Sequence, residues 1–111
     1  MIVRGFQVSE GREADFEKVF APDGIWAEFL AVSGRYLGTE VRVKSEAERS
    51  YQVIDYWRSH LDFETFRREH QLEYEKFSQM IANEGLVERE TVLGTFYEDG
   101  PDDEWTDLTP A

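Results

Sequence analysis

Cysteine is absent from all 111 residues of the chain. Its absence excludes disulfide bonds and metal sites built on thiolates, and it is consistent with a reducing compartment. Long apolar runs are also absent, and a helix needs roughly 20 such residues to cross a bilayer. The opening stretch MIVRGFQV lacks the charged leader and apolar region of a secretory signal. We therefore expect a cytoplasmic protein that does not bind a membrane.

Positive charge is scarce, with 12 Lys and Arg against 24 Asp and Glu and a formal net charge of −12. Half of the acidic excess lies in the last fourteen residues, EDGPDDEWTDLTPA, which contain six acids and no base. Nucleic acids and anionic membranes are bound by basic surfaces, so neither is an expected partner. We expect residues 1–97 to form one domain and residues 98–111 to form an acidic tail that adds little to the fold.

The familiar catalytic loop motifs are missing as well. The sequence has no Walker loop, no GxGxxG, no HExxH and no GxSxG, so phosphate-loop, zinc-protease and nucleophile-elbow chemistry have no support. What the chain does have is a hydrophobic fraction of 41%, of which aromatic residues are a large part at 14% of the sequence. This composition is typical of a globular domain with one core.

Hydrophobic periodicity predicts the first half of the domain. MIVRGFQV is rich in β-formers and predicts a strand, whereas READFEKVF places Phe16, Val19 and Phe20 on one face of a helix. GIWAEFLAVSG predicts a second short helix that stops near Gly34. The alternating RYLGTEVRVKS and the apolar SYQVIDYW predict two further strands.

The second half begins with a long helix. Ser59 and Asp62 have the spacing of a capping box, and the helix is expected to run to about Asn83. LVERETVLGTFY then predicts the last strand. The order β-α-β-β-α-β, with the first helix divided in two, indicates an α+β ferredoxin-like fold whose antiparallel sheet has the strand order 4-1-3-2 and carries its helices on one face.

Two predicted strands, Tyr51–Trp57 and Leu86–Tyr97, have apolar residues on both faces, which indicates that both faces of the sheet are covered. A second copy of the chain is the simplest cover for the face without helices, so we expect a two-fold homodimer. The last strand is about twice the mean strand length, and its far half is expected to pair outside the four-stranded sheet.

Charged residues inside strands form a first candidate cluster. Arg4 and Asp55 lie mid-strand in strands that are neighbours in this order, so they are expected to pair across the ladder. Glu88 or Glu90 of the last strand is expected on the other side of Arg4. A buried charge must be paired. A structural ion pair is the favoured interpretation, and a catalytic role is the alternative.

The stretch FETFRREHQLEYEKF provides a second candidate. At helical spacing Phe63, Phe66, His70, Tyr74 and Phe77 share one face, which must pack on the sheet. His70 is expected to lie beside Phe66 and Tyr74 at the border of a pocket. It is either a satisfied structural histidine or a base that works near neutral pH.

Three blocks of the sequence, GIWAEFLAVSGRYLGTEV, YQVIDYWRSHLDFETFRREHQLEY and ERETVLGTFY, resemble proteins of the antibiotic biosynthesis monooxygenase-like group. That group belongs to the dimeric α+β barrel superfamily, and the resemblance covers nearly all of residues 1–97. It implies a homodimeric barrel with a ligand pocket between the sheet and the helices of each copy. The residues expected to bind the ligand there are Trp26, Phe29, Phe66 and Trp57, with His70 and Tyr74 as catalytic residues.

The resemblance implies a small monooxygenase that needs no cofactor or metal and acts on an aromatic or quinol-like molecule. A non-catalytic small-molecule binding or stress-related domain is the alternative, and a haem-binding protein is the third possibility. Haem-degrading members of the superfamily use a first-strand Asn, a helical Trp and a His ligand. The first strand here has no Asn, Phe66 stands in place of the Trp, and Lys76 stands in place of the His, so haem degradation is disfavoured.

Overall fold

In the computed structural model, which describes residues 1–95, four strands and four helices follow the predicted order. The predicted tail, residues 98–111, lies outside the described residues, as do the last two residues of the predicted domain. The elements are β1 (Ile2–Val8), α1 (Glu13–Phe20), α2 (Ile25–Leu30), β2 (Tyr36–Ser45), β3 (Ser50–Trp57), α3 (His60–Glu69), α4 (Gln71–Asn83) and β4 (Val87–Thr95).

The strands form one antiparallel sheet in the order β2-β3-β1-β4. This is the predicted order counted from the other edge, and the ferredoxin-like α+β fold is confirmed. Side chains of one sheet face, among them Phe6, Tyr51 and Val53, share a core cluster with the helices. Val3 and Ile54 lie on the opposite face in a small separate cluster.

Aromatic rings fill the space between the helices and the sheet. Phe16 and Phe20 of α1 each lie 5.3 Å from the ring of Phe6, centroid to centroid, and Trp26 of α2 lies 5.0 Å from Phe77 of α4. Burying such a side chain contributes about 1.5–3 kcal/mol, and a ring pair adds about 0.5–1.5 kcal/mol. The helical layer is therefore attached to the sheet mainly through ring contacts.

The predicted long helix is divided at His70, whose φ of −117° and ψ of 33° are not helical. Its start is as predicted, because Ser59 Oγ accepts a hydrogen bond from the Asp62 N–H at 3.1 Å. Across the break, the His70 N–H still donates to the Phe66 carbonyl, and the His70 carbonyl still accepts from Tyr74. The apolar stripe continues through the break, which is why periodicity alone predicts one helix.

Strand β4 stays within the sheet as far as it is described. Val87 pairs with Val8 at one end and Thr95 with Ile2 at the other, so the prediction that its far half pairs elsewhere is wrong for these residues. Two register irregularities fit nine residues of β4 against seven of β1. The part of the prediction that concerns residues 96 and 97 lies outside the described residues.

The sheet face away from the helices carries a small buried cluster and an open groove. Val3 and Ile54 are each 3% exposed, with Met1 and Tyr56 packed around them. Beside them runs an open groove of about 610 Å³, whose lining includes Gly5, Gln7, Gln52, Arg89, Thr91 and Leu93. Among the described residues no helix is long and apolar enough to span a bilayer.

One glycine position tests the packing of α2 on α1. A Cβ atom on Gly24 would lie 2.5 Å from the carbonyl oxygens of both Lys18 and Val19. Since these are backbone atoms, they cannot move aside cheaply, and we expect Gly24→Ala to lower the free energy of unfolding by about 1–3 kcal/mol. Gly34→Ala is the matched control, because nothing lies within 4 Å of its added Cβ. Urea unfolding of both variants is the measurement, and equal stability of the two would contradict this packing.

Candidate functional site

A buried ion pair joins β1 to β3. Arg4 Nη2 lies 3.1 Å from Asp55 Oδ2, and the two side chains are 9% and 4% exposed. The predicted pairing is confirmed, although the two residues are not directly opposite. Asp55 is opposite Ile2 and Arg4 is opposite Val53, so the contact runs diagonally across the ladder. In the ladder between β1 and β4, Arg4 is opposite Val92. Glu90, which was expected beside Arg4, is opposite Phe6.

Three side chains donate to the Asp55 carboxylate. Besides Arg4, the Trp26 indole Nε1 donates to Oδ1 at 3.0 Å, and the Thr39 hydroxyl donates to the same oxygen at 2.7 Å. The Tyr36 hydroxyl forms a hydrogen bond with Thr39 Oγ1. Since the Thr39 hydroxyl donates its hydrogen bond to Asp55, Tyr36 is the donor of the bond between Tyr36 and Thr39. Asp55 is therefore occupied on both oxygens and is poorly placed to remove a proton from a substrate.

The guanidinium of Arg4 lies among aromatic rings. Its central carbon is 4.7 Å from the ring centroid of Trp26, 5.4 Å from that of Phe6 and 5.8 Å from that of Phe20. A guanidinium is weakly hydrated and stacks well on rings, which makes this burial tolerable. Its Nε, however, has no hydrogen-bond partner among residues 1–95.

Trp57 presents a second free donor. Its side chain is buried, and within the part of the chain that the structure describes its Nε1 has no hydrogen-bond partner. Buried donors are nearly always satisfied, and each unsatisfied one costs about 1–3 kcal/mol. Arg4 Nε and Trp57 Nε1 are thus two buried donors that residues 1–95 leave unsatisfied.

Tyr74 borders the same cluster from α4. Its ring is 5.5 Å from Trp26 and 6.4 Å from Phe29. Burial raises the pKa of Tyr74, and the negative charge of Asp55 raises it further, while the nearby Arg4 and Arg67 act in the opposite direction. Tyr74 is therefore a neutral phenol at physiological pH, which can donate a hydrogen bond but is a poor base.

His70 lies at the outer edge of the cluster. Its ring centroid is 4.7 Å from that of Phe66 and 6.5 Å from that of Phe29, while its Nδ1 lies 3.2 Å from a carboxylate oxygen of Glu73. The side chain is 37% exposed. The ring thus has one side on the aromatic cluster and one nitrogen turned towards an exposed acid, at the break between α3 and α4.

The four residues predicted to bind the ligand are brought together. Phe66 lies 5.3 Å from Phe29 and 5.1 Å from Trp57, and Trp26 lies 5.9 Å from Phe29, all measured between ring centroids. At these spacings the rings contact one another, so they form a continuous aromatic wall. A ligand would lie against this wall or displace one of its rings.

An open groove of about 350 Å³ lies outside the wall, between α3 and α4. Phe63 and Tyr74 provide aromatic lining, and the remaining lining residues are Glu64, Arg67, Arg68, Gln71 and Glu75. The Arg67 guanidinium carbon lies 5.1 Å from the centroid of the Tyr74 ring. Tyr74 therefore takes part both in this groove and in the buried cluster.

Sequence reasoning missed three residues of this site. Thr39 and Tyr36 hold the carboxylate of Asp55, and the only signal for Thr39 was its place on the inward face of β2, where it is opposite Asp55. Arg67 looked like one of many exposed helical charges, and its contact with Tyr74 crosses the break at His70. No group of three or more His, Asp or Glu in residues 1–95 is arranged to hold a metal ion.

Comparison with known proteins adds support for the fold. No family model matches the sequence, and no curated protein matches it either. Among solved structures, the chain is similar to PA3566 from Pseudomonas aeruginosa, with a TM-score of 0.53 and 16% sequence identity over 89% of this chain and 92% of that one. At this identity the likeness concerns the fold alone.

The ion pair gives a direct stability test. Asp55→Asn leaves Arg4 buried without a countercharge, and we expect it to lower the free energy of unfolding by about 3–5 kcal/mol. Asp15→Asn is the control, since Asp15 pairs with Arg12 on the surface, and exposed pairs are worth about 0.2–1 kcal/mol. Chemical denaturation measures both, and a loss below 1 kcal/mol for Asp55→Asn would mean that the charge of Arg4 is satisfied elsewhere.

Proposed function

We propose that this protein is a small oxygenase of the antibiotic biosynthesis monooxygenase-like group, which oxidises a phenolic or quinol-like molecule without a cofactor. The observation that carries the proposal is the buried guanidinium of Arg4, which is surrounded by rings and keeps a free Nε donor. A cation with a free donor inside an aromatic cluster suits a flat molecule that carries a negatively charged oxygen.

The chemistry requires little from the protein. A phenol loses its proton to become an electron-rich phenolate, which reacts with O2 at a ring carbon. One oxygen atom stays on that carbon and the other leaves as water, so a phenol with a free para C–H and one O2 give a quinone and one water. Both electrons that reduce the second oxygen atom come from the substrate. Donors aimed at the phenolate oxygen stabilise the charge that the first step creates.

The residues divide these tasks. Arg4 and the Trp57 indole supply donors to the phenolate oxygen, and Tyr74 orients the substrate through its neutral hydroxyl. Trp26, Phe29 and Phe66 provide the flat surface on which the substrate stacks. His70 is the proposed base, because both oxygens of Asp55 are occupied and His70 is the imidazole at the edge of the cluster. Its place at the rim suits deprotonation as the substrate enters.

A non-catalytic small-molecule binding or stress-related domain is the second candidate. The observation that favours it is that both oxygens of Asp55 already accept hydrogen bonds. Among the described residues of the cluster, this leaves His70 as the one candidate base. Haem binding is the third candidate, with His70 as the available imidazole. A Soret shift on titration with haem identifies that case, whereas binding of phenols without oxygen uptake identifies the second.

Oxygen uptake with a panel of phenols and hydroquinones tests the first candidate. We expect Arg4→Met to lower the turnover rate by about 10²-fold, the usual effect of losing one oxyanion donor, while Arg58→Met, an exposed arginine, keeps the wild-type rate. Because Arg4→Met leaves Asp55 unpaired, Trp57→Phe provides a second variant that changes no charge, and we expect it to be impaired too. Equal turnover in all variants would contradict the proposal, as would an absence of any oxygen uptake by the wild type.

The homodimer belongs to the same proposal, together with a cytoplasmic location. No helix of residues 1–95 packs on the sheet face that carries Val3, Ile54 and Leu93, and Leu93 is 39% exposed there, next to Gly5. A second copy placed face to face would cover Leu93 and the open groove beside it.

Sedimentation equilibrium at micromolar concentration tests the dimer, and we expect a mass of twice 13.0 kDa. Leu93→Lys should shift the protein towards monomers, because it places a charge in the interface. Leu72→Lys is the matched control on α4, where the leucine is 69% exposed. A wild-type protein that remains a 13.0 kDa monomer would rule out the dimer.

A further inference from the structure

Tyr74 forms a partition between the surface groove of α3 and α4 and the buried ion pair. On its inner side the ring is 5.5 Å from Trp26, whose indole donates to Asp55. On its outer side it lines the groove of about 350 Å³. Moving the ring of Tyr74 would therefore connect the groove with the buried cluster.

Arg67 holds that ring from the outside. Its guanidinium lies 5.1 Å from the Tyr74 ring centroid, and the two residues lie on opposite sides of the break at His70, one in α3 and one in α4. The contact thus ties the first turn of α4 to α3 at the point where the helix is interrupted. Two backbone hydrogen bonds still span the break, from the His70 N–H to the Phe66 carbonyl and from the Tyr74 N–H to the His70 carbonyl.

The groove also has the chemistry to receive a flat anion. Arg67 and Arg68 supply positive charge, in a chain whose overall charge is −12. The lining also holds two acids, Glu64, which pairs with His60, and Glu75, which accepts from Gln71, so its two arginines are matched in number. A phenolate that enters here would contact the ring of Phe63. The guanidinium of Arg67 can leave Tyr74 and stack on the phenolate ring.

We propose that ligands reach the Arg4–Asp55 pair through the groove between α3 and α4, and that Arg67 keeps this route closed by stacking on Tyr74. The ring of Tyr74 is then the gate that blocks the route, and Arg67 holds that ring in place. That a ligand binds at this pair, and that it is a phenolate, rests on the proposed function. The route and its gate follow from the contacts of Tyr74 on its two sides.

The Trp26 indole proton reports on the gate without any ligand. It lies behind Tyr74 and is bonded to Asp55, and it gives its own signal in an NMR spectrum, where the three Trp indoles of the chain can be assigned by Trp→Phe substitution. Exchange of this proton with solvent requires water to reach it. We expect Arg67→Ala to speed the exchange about two- to fivefold, as loss of one exposed cation–π contact allows. Arg68→Ala, in the same groove, should leave the rate unchanged.

A second matched pair acts on the gate itself. Tyr74→Phe keeps the ring and should exchange at close to the wild-type rate, whereas Tyr74→Ala removes the ring and should speed the exchange at least tenfold. The backbone amide of Val53, fully buried in the centre of the sheet, serves as the reference in the same sample. Equal acceleration of Val53 and Trp26 would mean global destabilisation and would overturn the gate.

An unchanged Trp26 rate in both Arg67→Ala and Tyr74→Ala would also overturn it. The outcome is independent of the oxygen-uptake assay. If the indole responds as expected but no phenol is oxidised, the gate stands and the oxygenase proposal fails. If phenols are oxidised but the indole does not respond, the ligand enters by another route.

Discussion

The pairing of Arg4 with Asp55 is the constraint on which the arrangement of the other elements depends. Two opposite charges lie in the middle of neighbouring strands, where neither is tolerable alone. The carboxylate also receives Trp26 from α2 and Thr39 from β2, so four elements meet at one side chain. A buried pair of this kind contributes little net stability against an apolar replacement. We infer that its value lies in specifying where α2 sits on the sheet.

Much of the fold follows from short-range pattern in the sequence, because strand alternation, the Ser59 cap and the split βαβ order are local or nearly local properties. The Arg4–Asp55 pair was also predictable, since a mid-strand charge needs a partner and the strand order supplies one. The break at His70 was not, because the apolar stripe from Phe66 to Tyr74 continues through it. The two register irregularities between β1 and β4 were not predictable either, because they depend on how nine residues of β4 pair with seven of β1 and not on the pattern of β4 alone.

The sequence predicts which rings face inward at the site, but not how those rings pack against one another. Residue type and helical spacing place Phe29, Phe66 and Trp57 on inward faces, but they do not say whether these rings surround a cavity or touch one another. That depends on how far each helix stands from the sheet, which is set by the summed volume of all the rings. Here the rings are in contact, so access to the interior depends on a side chain that can move rather than on a preformed hole.

The distribution of acid and base strength decides what chemistry this interior can support. Asp55 has its oxygens occupied, Tyr74 has a raised pKa, and His70 stands at the rim. No strong base faces the Arg4 guanidinium from these residues. A reaction at this position must therefore begin with a substrate that is acidic by itself, and the protein's part is to hold the resulting anion with donors and exclude water from it. Phenols and hydroquinones meet that requirement, whereas substrates with unactivated C–H bonds do not.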